Sequence, residues 1–248
     1  MTAKVALTID DHAYRITLDD PPLHILDIEM LAQLRDALGR VQPDRHCLII
    51  TSSGDKAFSA GASVQDHLGD CAATMLKNFH GCFRILAKLE IATVALVKGV
   101  ALGGGCELAL ACDFILASDR ARFGQPEINL GVFPPVAAYQ LSRQMPPRKG
   151  LELLLTGEPI EPHTIANAVF PAAEFDERAN DWLQRLYKQS ASSLRFAKRA
   201  FRLAQANDFD ERLADVERLY HDELMKSHDA NEGLRAFIEK RKPEWKGK

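Results

Sequence analysis

The sequence predicts an α/β protein, a layered core of parallel strands and covering helices followed by an all-helical C-terminal part. Two patterns carry this expectation. Over roughly the first 130 residues, short apolar runs of strand length alternate with stretches of helical periodicity, a succession that favours parallel pairing. Beyond about Leu130 strand signals almost vanish, and amphipathic helical patterns follow one another.

Val5–Ile9 and Tyr14–Leu18 alternate in period two around Asp10-Asp11-His12, a hairpin signal. Asp27 is placed to cap a helix whose Ile28, Leu31, Leu34, Leu38 and Val41 share one face. Cys47-Leu48-Ile49-Ile50 is a continuous apolar run, as expected of a strand covered on both faces. A helix from about Ala72 to Leu89 puts Met75, Phe79, Cys82, Phe83 and Leu86 on one stripe. Thr93–Val97 and Phe114–Ala117 read as two further buried strands. Helices are then expected over Val136–Gln144, Pro147–Leu155, Pro162–Ala168, Glu177–Gln189, Ser192–Ala206, Asp210–Ser227 and Asp229–Lys240. The expected division is a core in residues 1–190 and a helical region in 191–248, with no internal repeat visible in the sequence.

A chain of 248 residues is long enough for one large hydrophobic core, and 46% apolar with 26% charged side chains is globular usage. The 31 Lys and Arg against 34 Asp and Glu leave a net charge of −3, without the broad basic field that nucleic-acid binding needs. Cys47, Cys71, Cys82, Cys106 and Cys112 contain no pair at two-residue spacing, so they read as reduced thiols, not a zinc or dithiol site. No signal-peptide core opens the chain, and no apolar run reaches the roughly 18 residues of a membrane span. A cytoplasmic protein without membrane contact is expected.

Several catalytic motifs are missing: there is no P-loop, no dinucleotide-binding glycine spacing, no zincin His pair and no nucleophile elbow at Ser52, Ser59 or Ser63. Ser59 reads as a turn-stabilising hydroxyl. What stands out is Lys98-Gly99-Val100-Ala101-Leu102-Gly103-Gly104-Gly105-Cys106-Glu107-Leu108, between a strand and an apolar helix expected over Leu108–Cys112. Its successive glycines have two readings: close packing of that helix, or bare backbone N–H groups at a helix start that face an anion. Glu107 lies about one turn further on, and a carboxylate beside an amide anion site is useful only if it handles protons. The loop Lys56–Ser63 leaves the same, carboxyl end of its own strand, so the two loops can supply one N–H each. Phe123-Gly124-Gln125-Pro126-Glu127-Ile128 carries a second glutamate, which spacing alone leaves equally readable as a surface or capping carboxylate.

Together these segments resemble the crotonase (enoyl-CoA hydratase/isomerase) family. The resemblance rests on Ala57-Phe58-Ser59-Ala60-Gly61-Ala62, Gly103-Gly104-Gly105-Cys106-Glu107-Leu108 and Gly124-Gln125-Pro126-Glu127-Ile128, in order and at family-like separations. It implies a crotonase-like (ClpP/crotonase) spiral of ββα units with a C-terminal helical region, assembled as a homotrimer or a hexamer (a dimer of trimers). It also implies an acyl-CoA thioester as substrate, coenzyme A being part of that substrate, and no metal or other cofactor. Carried over by position, the N–H groups of Ala62 and Gly104 would form an oxyanion hole, and Glu107 and Glu127 would be the acid–base pair. Ala60, Ala62, Ser63, Val64 and Gln65 would line the thioester and pantetheine path, with Ser63 standing where many relatives have Asp.

Retention of both glutamates favours addition of water over isomerisation or decarboxylation. After Glu127, Leu130-Gly131-Val132-Phe133-Pro134-Pro135-Val136-Ala137-Ala138 departs from the glycine-rich pattern of common hydratases. Pro135, Ala137 and Ala138 add carbon near the acyl pocket, with Phe133 as a wall. This stretch resembles the branch that hydrates cyclohexa-1,5-diene-1-carbonyl-CoA. In the tail, relatives use aromatic and basic residues on CoA, which would put Trp245 on adenine and Lys242 or Lys246 near phosphate; a solvated basic end is the competing reading.

Overall fold

In the computed structural model, which describes residues 3–69, 71–204, 213–214 and 217–244, the expected hairpin opens the chain. Strands β1 (Val5–Ile9) and β2 (Ala13–Leu18) pair antiparallel, with Asp10 Oδ1 accepting from the N–H groups of His12 and Ala13 (2.8 Å each) to fix the turn. Helix α1 (Ile28–Gly39) starts at Asp27, whose Oδ1 accepts from Met30 N–H (2.8 Å). It buries Leu31, Leu34 and Leu38 against α2 (Cys71–Lys88). Strands β3 (Cys47–Ser52), β5 (Ala92–Val97) and β7 (Phe114–Ser118) are the buried apolar runs. They lie parallel in one six-stranded sheet of order β1-β2-β3-β5-β7-β9.

Three further strands have no sequence periodicity. β4 (Ala57–Ser59), β6 (Val100–Leu102) and β8 (Arg122–Gly124) form a second, parallel three-stranded sheet. The chain thus climbs as a spiral. Each turn gives one strand to each sheet and then crosses by helix: β3, β4, α2; then β5, β6 and α3 (Gly104–Leu110); then β7, β8 and the helices α4 (Pro135–Gln144) and α5 (Pro147–Thr156). This is the spiral that the sequence resemblance implies, and its repeat is structural although the sequence shows none.

Two expectations fail for local reasons. Pro162–Ala168 is not a helix: Pro162–Thr164 makes one 3₁₀ turn, and Ala168–Phe170 becomes β9 on the edge of β7. Asn167 fastens it there, accepting from Ile115 N–H through Oδ1 (2.7 Å) and donating its own N–H to Ile115 O (2.8 Å). The tertiary edge outweighs the helical pattern. The glycine helix also starts earlier than expected, with Gly104 and Gly105 inside its first turn.

After α6 (Phe175–Tyr187), the described residues form α7 (Ala191–Ala204), a π-helical turn Leu219–Glu223, a 3₁₀ turn Leu224–Lys226 and α8 (His228–Ile238). The continuous helix expected over Asp210–Ser227 is therefore broken at its end, and 210–212 and 215–216 lie outside the described residues. Leu213, Tyr220, Ala230 and Leu234 join the same hydrophobic cluster as the α1–α2 layer, so this region packs on the spiral. No helix among the described residues is long and apolar enough to cross a membrane.

Because Leu34 is buried at the α1–α2 contact, Leu34→Ala is expected to lower the unfolding free energy by about 2–5 kcal/mol, read by chemical denaturation.

Candidate active site

The site begins where β4 and β6 end. Ser59 closes β4: its hydroxyl donates to His24 O (2.7 Å) and accepts from Gly61 N–H (3.1 Å), so it stabilises the turn. Leu26 N–H donates to Gly61 O (2.9 Å) and Ser63 N–H to Leu26 O (3.2 Å). Ala62 is thereby fixed from both sides, while its own N–H has no acceptor among the described residues. Ser63 Oγ accepts from Asp66 N–H (3.3 Å), a local turn contact. Val64 packs against the core and Gln65 opens a short 3₁₀ turn.

The glycine segment meets this loop. Gly103 adopts φ 51°, a left-handed conformation that favours glycine, and donates to Gly124 O (2.8 Å). Gly104 begins α3, so its N–H has no intrahelical acceptor. A Cβ on Gly104 would stand 2.8 Å from the Phe79 ring and 3.2 Å from Ala62 N. Only hydrogen fits, and the structure brings the Ala62 and Gly104 amides side by side.

One turn along α3, Glu107 is 2% exposed, and its Oε1 accepts from Ala137 N–H at 2.6 Å. Ala137 belongs to the first turn of α4, whose N-terminal N–H groups therefore hold this carboxylate. Pro135 stands at the first position of that helix, where its missing N–H costs nothing. Glu127 lies in the 3₁₀ turn Pro126–Leu130, and its Oε2 is buried with no hydrogen-bond partner in the described residues. Burial pushes both carboxyl groups well above the usual carboxylate range, and the neighbouring Glu127 charge raises Glu107 further. Burial above all, with the neighbouring carboxyl pair, holds the Cys106 thiol protonated. Two carboxyl groups that share a dry space titrate together, and one of them stays protonated where an exposed glutamate would be ionised.

Phe133 lies between the Glu127 turn and α4, half-buried, with its ring edge-on to Tyr220 (5.4 Å between centroids). The sequence missed two parts of this site. Ala137 acts through its backbone, for which the only signal was the Pro134-Pro135 helix start; Tyr220 carried no motif at all. The structure does not bring Lys242 into this group. It is exposed after α8, where the Glu232 carboxylate accepts from Arg241 (2.9 Å) and offsets part of the tail's basic charge. Trp245 and Lys246 lie outside the described residues.

Comparison with known proteins agrees in one direction. The family model described as enoyl-CoA hydratase/isomerase matches residues 9–248. The chain is 40% identical to a cyclohexa-1,5-dienecarbonyl-CoA hydratase of Thauera aromatica, over 99% of this chain and 97% of that protein. It is 33% identical to a crotonyl-CoA hydratase of Syntrophomonas wolfei, over 89% of this chain and 88% of that one. Among solved structures, a carnitinyl-CoA hydratase from Mycobacterium avium superposes with a TM-score of 0.86 at 29% identity, all of both chains being covered.

Two outcomes follow from this geometry. Gly104→Ala must displace the Phe79 ring, and a loss of about 1–3 kcal/mol of unfolding free energy is expected from denaturation. A buried Glu107 whose folded carboxyl is raised holds its proton more tightly when folded, so its ionisation opposes folding. Wild-type stability should therefore fall relative to Glu107→Gln as pH rises above the ordinary carboxyl value of 4.5, measured by denaturation across pH.

Proposed function

This chain belongs to the enoyl-CoA hydratase/isomerase family, and we propose that it adds water to a conjugated enoyl- or dienoyl-CoA thioester, with cyclohexa-1,5-diene-1-carbonyl-CoA as the preferred substrate. The observation that carries the proposal is the juxtaposition of two buried carboxyl groups with two main-chain N–H groups that have no acceptor among the described residues. Carboxylates alone would repel an anion. Amides alone would have nothing to move a proton.

In this reading the thioester oxygen accepts from the Ala62 and Gly104 N–H groups. As the substrate becomes enolate-like, negative charge grows on that oxygen, and fixed donors stabilise it more than they stabilise the starting carbonyl. One such donor contributes roughly 3–4 kcal/mol of barrier lowering. A water held by Glu107 and Glu127 loses one proton to the ionised member of the pair, and its oxygen bonds to the β-carbon. The protonated member gives its proton to the α-carbon, the enolate collapses, and one water has been added. Raised carboxyl pKa values suit this task, because one group must be acid and the other base near neutral pH.

Support for a cyclic acyl group comes from the Thauera aromatica relative and from the Val132–Ala138 stretch. Pro135 and Ala137 are buried, and Phe133 adds a flat wall. Such a space favours a ring over a long, straight chain. The Ala60–Gln65 loop then lines the thioester path, with coenzyme A as part of the substrate. We include the trimer or dimer of trimers in the proposal: Phe196 and Phe201 on α7 are large apolar side chains exposed in the single chain.

Incubation with cyclohexadienoyl-CoA and with crotonyl-CoA should yield a product heavier by one water, preferentially from the cyclic ester. Turnover of crotonyl-CoA alone would remove the cyclic preference, and an unchanged or lower product mass would instead indicate isomerisation or decarboxylation. Glu107→Gln and Glu127→Gln should each lower kcat by about 10²–10⁴-fold while CoA-ester binding is largely kept.

A further inference from the structure

The acid–base scheme leaves unused the phenol of Tyr220, whose side chain packs on Phe133 in the stretch that joins the two carboxyl-bearing segments. This residue is 2% exposed and stands in the π-helical turn Leu219–Glu223, a widened turn of a kind that recurs at functional sites. Its ring meets Phe133 at 78°, and Phe133 belongs to the stretch joining the Glu127 turn to the helix start that holds Glu107. Helix α8, which follows, packs on the Glu127 turn. Tyr220 is thus held on Phe133 by a C-terminal segment whose next helix rests on the Glu127 turn. Its hydroxyl makes no hydrogen bond among the described residues, and neither does the buried Glu127 Oε2.

Burial, then the Glu127 and Glu107 charges, hold the phenol well above its usual range, so it remains a donor across the working pH. The His221 ring lies 5.9 Å from that of Tyr220. A water molecule has two O–H donors and two lone pairs. The carboxyl pair occupies its donor side, one lone pair must aim at the β-carbon, and the second is left over. A donor on that second lone pair fixes the direction of the first.

We propose that Tyr220 is a further catalytic residue, donating a hydrogen bond from its phenol to the water that Glu107 and Glu127 hold. The inference rests on the hydratase reading above. In the reverse direction the same donor faces the departing hydroxyl oxygen and stabilises the charge that develops on it. No bond changes at Tyr220 itself in either direction.

Tyr220→Phe tests this, because it keeps the ring against Phe133 and removes only the hydroxyl. With the hydrated CoA ester as assay, kcat is expected to fall about tenfold while KM stays within about twofold and the melting temperature is unchanged. Tyr220→Ala, measured alongside, reports the packing contribution. If Tyr220→Phe matches wild type and only Tyr220→Ala loses activity, the side chain is packing and the inference is overturned. Activity lost in step with folded protein overturns it as well. A wild-type protein that hydrates neither ester overturns the hydratase reading first, which separates that failure from a failure at Tyr220.

Discussion

The structure depends on one close approach of backbone to backbone. Two turns, one leaving β4 and one leaving β6, come so near at Ala62 and Gly104 that no side chain fits between them and Phe79. That approach fixes where α3 begins, and the start of α3 fixes where Glu107 stands. A glycine in a helix costs roughly 1 kcal/mol relative to alanine, so the run of glycines is a local penalty that the tertiary contact offsets. The same contact leaves two amides without partners among the described residues, a state that folded proteins rarely tolerate unless something else comes to occupy it.

A second constraint is the burial of charge. Glu107 and Glu127 sit where carboxylates are costly, and the fold answers unequally. Glu107 receives a short N–H contact from the first turn of α4, whereas Glu127 Oε2 receives none from the described residues. Burial raises both, so the site favours a shared proton over two full charges. This difference in support within one dry space is what acid–base work by a carboxyl pair requires. The prolines at Pro134 and Pro135 contribute by setting the helix start that faces Glu107.

Much of this was legible in the sequence, and the reasons are physical. The hairpin at Asp10, the Asp27 cap, the α2 stripe and the buried strands all carry a period or a cap that local chemistry sets. The second sheet was not legible, because β4, β6, β8 and also β9 have three residues each, too few for a period to show. Pro162 gave a helix-start signal, yet Asn167 and the open edge of β7 drew the following residues into a strand. In the site, the glycine run stood out because glycines at a helix start are costly, whereas Glu127 looked like a surface carboxylate until the resemblance singled it out. The Ala137 contact was hidden, since it is made by backbone 30 residues away from Glu107. Tyr220 was hidden for a similar reason: on a helical face it reads as ordinary core, and only the π turn and its Phe133 contact set it beside the carboxyl groups.

The most direct measurement is the carbonyl stretch of a bound thioester, by isotope-edited infrared spectroscopy on a saturated acyl-CoA that cannot add water. Two converging amides would polarise the carbonyl and move its stretch to lower frequency than in water. A frequency equal to that of the free ester in water would mean that Ala62 and Gly104 do not grip the oxygen, and the account would fail.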